Sequence, residues 1–221
     1  MIKAIFYKES IKTRRITLLS IILALVLLGY MWLTTSEIFR SNGAVEIWNS
    51  AIGGKFDVIS LWLYLYPVVV ALMIGALQFT SETTDKRLKL TLHLPYSETK
   101  IISSLYAFGL RNITVLSGGF FLVLYIILSH YYPSEIIAVS ALRFLGYFLL
   151  ALGVYFALAW IIVEPIWKKR IIGGVAAFAI LSFFYDLAPS PLAIVLFVLV
   201  DILLVFAAFN AVLRFKDGAQ K

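Results

Sequence analysis

The sequence predicts an all-α integral membrane protein, and three observations carry this prediction. Of the 221 residues, 62% are hydrophobic and only 14% are charged, which is too apolar for a soluble domain of this size. The chain contains long apolar runs, and a helix crosses the hydrocarbon with about 20 apolar residues. These runs are apolar on every face, whereas the strands of a membrane barrel alternate apolar and polar residues over short segments.

Six runs are interpreted as transmembrane helices, at about 16–35, 58–79, 101–128, 144–163, 171–185 and 192–213. Arg111 interrupts the third run, so we expect a helical stem before it and the buried part of the span after it. The fifth run is the shortest, and we expect it to cross either where the bilayer thins or with Trp167 and Asp186 at the two interfaces. Since the segments between the runs are short, the whole chain, 1–221, is predicted to be a single transmembrane domain.

The distribution of basic residues predicts the orientation. If the N-terminus is cytoplasmic, sixteen of the nineteen Lys and Arg residues lie on the cytoplasmic side. Because Lys and Arg accumulate in cytoplasmic loops, both termini are predicted to be cytoplasmic. The net charge of +7 then reflects topology, and no nucleic-acid partner is expected. The basic run 168–170 is interpreted as a topology anchor.

No pattern of catalytic or metal-binding residues was found. The phosphate-binding string GxxxxGK(S/T) and the nucleophile motif GxSxG are both missing. There is no cysteine, and the two histidines, His93 and His130, fall on opposite sides of the membrane in the predicted topology. We therefore predict that the chain is not an enzyme and binds neither a metal nor a cofactor of its own.

Two features within the apolar runs are candidates for a pathway or for helix packing. Asp201 lies in the middle of the sixth run, where a carboxylate is unfavourable by about 2.5–3.5 kcal/mol on insertion scales. It is either part of a pathway or a structural acid that is hydrogen-bonded to a neighbouring helix. Gly146 and Gly153 share one stripe of the fourth helix and predict a close approach of another backbone.

The connector, residues 78–105, joins the second and third runs and is the most informative segment. Charged residues follow Glu82, and after them leucines alternate with polar residues. An isolated strand would leave its edges unpaired, so a short helix along the membrane surface, ending at Pro95, is predicted. Its leucines offer an apolar docking face with a polar rim, which favours a soluble partner.

The connector resembles the cytosolic loop of permease subunits in the ABC-2 family of ABC transporters. In that family a Glu near the end of the second span is followed by leucines, by a Pro thirteen residues after the Glu, and by a Ser two residues later. Here these positions are Glu82, Pro95 and Ser97, while the usual Gly-Thr pair falls on Lys86 and Arg87. The N-terminal FYKESIKTRR is similar to the amphipathic N-terminal helix of the same family.

The resemblance implies a coupling helix that docks on a separate ATPase subunit, which holds ATP and Mg²⁺. The residues assigned to this interface are Glu82, Asp85, Lys86, Arg87, Leu88, Leu90, Leu92, His93 and Pro95, and those assigned to the N-terminal helix are Phe6 and Glu9. A second copy of the chain, as a homodimer in a bacterial cytoplasmic membrane, would complete an exporter of a hydrophobic or amphipathic substrate. The alternative is a non-transporting subunit that anchors or senses for a membrane complex.

Overall fold

The structure is a computed structural model, and it describes residues 2–53, 58–84, 87–92, 97–187 and 191–217. The described part contains eight helices and no strand, which confirms the all-α prediction for this part of the chain. The helices are α1 (Ile2–Asn42), α2 (Ala44–Ile52), α3 (Leu61–Thr84), α4 (Arg87–Leu92), α5 (Glu98–Tyr131), α6 (Ser134–Val163), α7 (Trp167–Leu187) and α8 (Pro191–Asp217).

Five helices in the described residues are long and apolar enough to cross a membrane. They cover Lys3–Asn42, Leu61–Thr84, Glu98–Tyr131, Ser134–Val163 and Ile194–Lys216. The chain is therefore a multi-pass membrane protein by the length and composition of its helices. The predicted span 171–185 lies in α7, which is not among these five. A count of six spans and the side on which the termini lie stay predictions.

The N-terminal amphipathic segment and the first span form one continuous helix. Helix α1 contains 41 residues, and it includes the basic segment and the apolar run without a break. The sequence has neither Pro nor Gly between Ile2 and Leu28, so nothing interrupts the backbone hydrogen bonds. Helix α5 likewise continues through Arg111, so the predicted stem and the buried part of this span are a single helix of 34 residues.

Helix α6 is at the centre of the bundle. It packs against α3, α5, α7 and α8, and α3 in turn packs against α1 and α5. Small buried residues along α6, among them Ala151, Gly153 and Ala157, let the neighbouring helices approach closely. Helix α1 keeps many apolar side chains exposed, which is the expected state for a surface that faces lipid.

Helix α2, which sequence reasoning did not anticipate, folds back onto the end of α5. The turn before it needs Gly43, whose φ of +76° lies in the left-handed region that other residues rarely adopt. The indole of Trp48 in α2 then donates a hydrogen bond of 3.0 Å to the carbonyl oxygen of Tyr131. This end of the bundle is opposite the connector.

Candidate functional site: a buried ion cluster at the connector end

The N-terminal turns of α1 meet the end of α3 in a cluster of four charged side chains, Lys8, Glu9, Lys12 and Glu82, which we call the Lys12 cluster. The ammonium group of Lys12 is 3.0 Å from Oε1 of Glu9 and 3.0 Å from Oε1 of Glu82. It also donates a hydrogen bond of 3.1 Å to the backbone carbonyl of Gln78. Lys8 lies 2.8 Å from the same Glu82 oxygen. One carboxylate of α3 is thus held by two cations of α1.

The two carboxylates are buried while the lysines reach toward solvent. The side chains of Glu9 and Glu82 are 0% and 2% exposed, whereas those of Lys12 and Lys8 are 14% and 42% exposed. Buried charges are tolerated only when they are paired, and two cations here balance two anions. In the described part of the chain, Oε2 of Glu9 is buried without a hydrogen-bond partner. Among the described side chains, Lys12 is the only one that forms ion pairs with both acids, so the cluster depends on it.

Gln78 extends this cluster into the centre of the bundle. Its side-chain amide donates a hydrogen bond of 2.9 Å to the carbonyl oxygen of Leu105 in α5. The hydroxyl of Tyr155 in α6 donates one of 3.0 Å to the amide oxygen of Gln78. Since Lys12 bonds the backbone of the same residue, a connected set of polar contacts joins α1, α3, α5 and α6. Polar contacts of this kind hold membrane helices in a fixed relative position.

Phe6 fixes the N-terminal turns of α1 against α5. Its ring meets the ring of Phe108 edge to face, with the centroids 5.5 Å apart. The guanidinium carbon of Arg111 lies 5.1 Å from both ring centroids, within the range of a cation–π interaction. Arg111 therefore packs on aromatic rings of two helices.

The connector contains the predicted short helix, α4, but its leucines do not form one docking face. Leu88 and Leu92 are four residues apart on the same side of the helix, and both are buried against the chain itself. Leu90 points the other way and is 69% exposed. Helix α4 packs against α3, α5 and α8, which explains why only part of its surface remains open to a partner.

The structure thus changes the set of side chains available to a partner at the predicted interface. Glu82, which was assigned to the interface, is buried in the Lys12 cluster, and Leu88 and Leu92 belong to the core. Arg87 and Leu90 are exposed. Asp85, Lys86, His93 and Pro95 lie outside the described residues.

A second group of ion pairs closes the same end of the bundle around α8. The carboxylate of Glu164, at the end of α6, accepts hydrogen bonds from Arg214 of α8, with Nε at 3.1 Å from Oε2. Lys216 of α8 pairs with Glu98 at the start of α5. Arg170 of α7 donates to the final carbonyl groups of α6, with Nε at 2.7 Å from the oxygen of Ile161.

The structure brings Asp201 and Gly153 together, although each was singled out for a different reason. A Cβ atom at Gly153 would lie 2.8 Å from Oδ1 of Asp201, so the carboxyl group occupies the space that this glycine leaves open. In the described part of the chain, that oxygen is buried without a hydrogen-bond partner. Gly146, seven residues before Gly153 in α6, is also buried. Asp201 therefore faces α6 and contributes to the α6–α8 interface.

Comparison with protein-family models, with curated proteins and with solved structures found no match for this chain.

Proposed function

We propose that the chain is the transmembrane permease subunit of an ATP-binding-cassette transporter. A separate ATPase subunit binds ATP and Mg²⁺, docks on the connector and drives export of a hydrophobic or amphipathic substrate such as a peptide, a lipid or a drug. In this proposal the chain has six spans with both termini in the cytoplasm, and a second copy completes the pathway. The protein then resides in the cytoplasmic membrane of a bacterium.

The observation that carries the proposal is the attachment of Glu82 to α1. Glu82 lies at the end of α3, just before α4, and Lys8 and Lys12 hold it to the N-terminal turns of α1. A force on α4 therefore reaches two spans at once, α3 through the chain and α1 through the ion pairs. Packed side chains and ion pairs of this kind carry coupling between distant sites. A loose loop would absorb the movement.

The burial pattern of α4 supports the same role. Leu88 and Leu92 anchor the helix to its own bundle, while Leu90 stands free on the opposite side. A helix that is anchored on one side and exposed on the other transmits a rigid-body displacement from a partner to the membrane helices. An exposed leucine among charged residues is typical of a small apolar contact with a polar rim.

Because the chain has no cysteine, a single introduced thiol tests the docking site. The Leu90→Cys variant, labelled on its thiol with a maleimide photo-cross-linker and purified with the ATPase subunit that carries GxxxxGK(S/T), should cross-link to that subunit on illumination. Leu122→Cys is the matched control, since this leucine is 64% exposed on α5 far from the connector. A membrane-impermeant maleimide should label Leu90→Cys from the cytoplasmic side alone, which checks the orientation.

Coupling is tested in vesicles that contain both subunits. We expect Lys12→Gln to keep the Leu90→Cys cross-link and to lower the transport-coupled rate of ATP hydrolysis at least tenfold. Lys8→Gln, which removes the exposed partner and leaves Lys12 in place, should lower the rate less. Cross-linking without transport, and with ATP hydrolysis unaffected by either variant, would identify an anchoring subunit instead. Absence of the cross-link at Leu90→Cys would refute the docking site.

A further inference from the structure

Helices α1 and α5 lie side by side and run in the same direction. Near their starts the ring of Phe6 contacts that of Phe108, with the centroids 5.5 Å apart. Near their ends the ring of Trp32 contacts that of Tyr131, with the centroids 5.9 Å apart. Along this contact, a residue of α1 therefore lies level with the residue of α5 whose number is about 100 higher.

Helix α3 covers only one side of the contact between α1 and α5. Its Glu82 pairs with Lys12 of α1, and its Gln78 donates a hydrogen bond to the backbone of Leu105 in α5. Two exposed residues of α1, Ser10 and Arg14, each lie two positions from Lys12, which is about 160° around the helix axis. They therefore lie on the side of α1 that α3 does not cover.

Arg111 of α5 lies on this same open side and contacts both helices. Its guanidinium carbon is 5.1 Å from the ring centroids of Phe6 and of Phe108, and its side chain is exposed. Ser10 and Arg14 follow Phe6 at steps of four residues, so they continue its line along α1. The register of the two helices places Arg111 level with about position 11 of α1, between Ser10 and Arg14. We call Ser10, Arg14 and Arg111 the outer seam.

The positive charge of the outer seam is not balanced by the protein. In the part of the chain that the structure describes, neither Arg14 nor Arg111 pairs with a carboxylate. Up to the outer seam, α1 and α5 contain one acid each, Glu9 and Glu98, and each of these is paired with a lysine. Two guanidinium groups on neighbouring helices are thus available to an external anion.

The outer seam lies where the charged parts of α1 and α5 end. Helix α1 has no Asp, Glu, Lys or Arg between Arg15 and Glu37, and α5 has none after Arg111. Four residues beyond Arg14 and Arg111, the apolar side chains of Leu18 and Val115 are 52% and 65% exposed. Cationic side chains beside an exposed apolar surface at the end of a span are typical of the headgroup level.

We propose that the outer seam binds an anionic phospholipid, with its phosphate between Arg14 and Arg111 and an acyl chain along Leu18 and Val115. A planar guanidinium group matches the oxygens of a phosphate, and the rings of Phe6 and Phe108 hold that of Arg111 in place. A zwitterionic headgroup would bring its own cation toward two arginines. This lipid site goes beyond the proposed transport function and does not depend on it.

The test uses the full chain in nanodiscs that contain equal amounts of phosphatidylglycerol and phosphatidylcholine. Lipid that stays bound after mild detergent extraction is counted by mass spectrometry. We expect the preference for phosphatidylglycerol to fall about fivefold for each arginine replaced, or roughly thirtyfold for Arg14→Gln/Arg111→Gln. Lys168→Gln/Lys169→Gln is the matched control, because it removes two exposed cations from the start of α7. It should change the preference less than about twofold.

A second variant keeps both arginines and changes the charge beside them. Ser10→Asp places a carboxylate in the outer seam at an exposed position, so it should fold normally and lower the preference at least about fivefold. Ser103→Asp is its control, since this exposed serine lies about 140° around α5 from Phe108.

Three results would overturn the proposal. Equal headgroup preference in the two double variants would exclude the arginines as the phosphate site. Equal preference in Ser10→Asp and Ser103→Asp would show that the phosphate binds elsewhere. Efficient cross-linking between two copies of Val115→Cys would show that a second chain, and not a lipid, covers the outer seam.

Discussion

Replacing Gly109 of α5 by alanine should loosen the contact between three helices at the connector end. An added Cβ would lie 2.1 Å from the hydroxyl oxygen of Tyr155 and 2.4 Å from its ring carbon Cζ. The phenol is fully buried, and its hydroxyl is the hydrogen-bond donor to Gln78. The ring must therefore move away, and the hydrogen bond to Gln78 is lost with it.

Three contributions set the change in the free energy of unfolding that we expect for Gly109→Ala. Forcing an extra methyl group into a packed core typically destabilises by about 1–3 kcal/mol. Leaving the buried amide oxygen of Gln78 unpaired adds about 1–3 kcal/mol. The better helix propensity of alanine offsets up to about 1 kcal/mol. The expected loss is therefore about 3 kcal/mol, which for a chain of this size corresponds to a Tm lower by roughly 6–12 °C.

The assay is thermal unfolding of the purified protein in detergent, followed by the fluorescence of its five tryptophans. Gly118→Ala on the same helix is the matched control, because no heavy atom lies within 4 Å of its added Cβ. Its Tm should be unchanged or slightly raised. Adding Tyr155→Phe to Gly109→Ala should not restore stability, since the ring carbon remains too close. A Tm of Gly109→Ala equal to or above that of Gly118→Ala would refute the reasoning.

Two further predictions concern the ion pairs, and the same unfolding assay checks both. Lys12→Met should destabilise by about 3–5 kcal/mol, because it leaves two buried carboxylates short of a cation, whereas Lys8→Met, with a more exposed side chain, should change stability by about 0–1 kcal/mol. Equal effects of the two variants would contradict the assigned burial. Arg214→Ala should destabilise more than Lys216→Ala, because the carboxylate of Glu164 is fully buried while the partner of Lys216 is partly exposed. The reverse order would show that the pair at Glu164 is not a buried one.

Much of the connector was predictable from local pattern. The leucines, the charged residues and Pro95 predicted a short helix between the second and third spans, and α4 lies there. The pattern could not show which side of that helix faces its own bundle. Leu88 and Leu90 are the same residue type in the same short segment, so the sequence does not distinguish them. The packing of α4 against α3, α5 and α8 buries Leu88 and leaves Leu90 exposed.

The sequence drew attention to several residues of the membrane domain individually, but it did not show which of them pair with each other. Glu9 and Glu82 were noted for a family resemblance, and Lys12 was counted only as a topology charge. Lys12 and Glu9 are only three residues apart on α1, but the contact of Lys12 with Glu82 spans 70 positions of sequence, so no local spacing signals it. Asp201 and Gly153 were likewise noted separately, as an unusual acid and as a small packing residue. Their contact became visible only when α8 was placed against α6.

The sequence by itself determined the class of the protein, because hydropathy and run length are local quantities that decide whether a helix is stable in lipid. It also marked the connector as the charged break between two apolar runs. Only the tertiary structure decided that Lys12 joins Glu9 to Glu82, and that Leu90 rather than Leu88 remains exposed. Such pairings depend on how each helix is rotated about its axis, and that rotation is set by the packing of all the helices together.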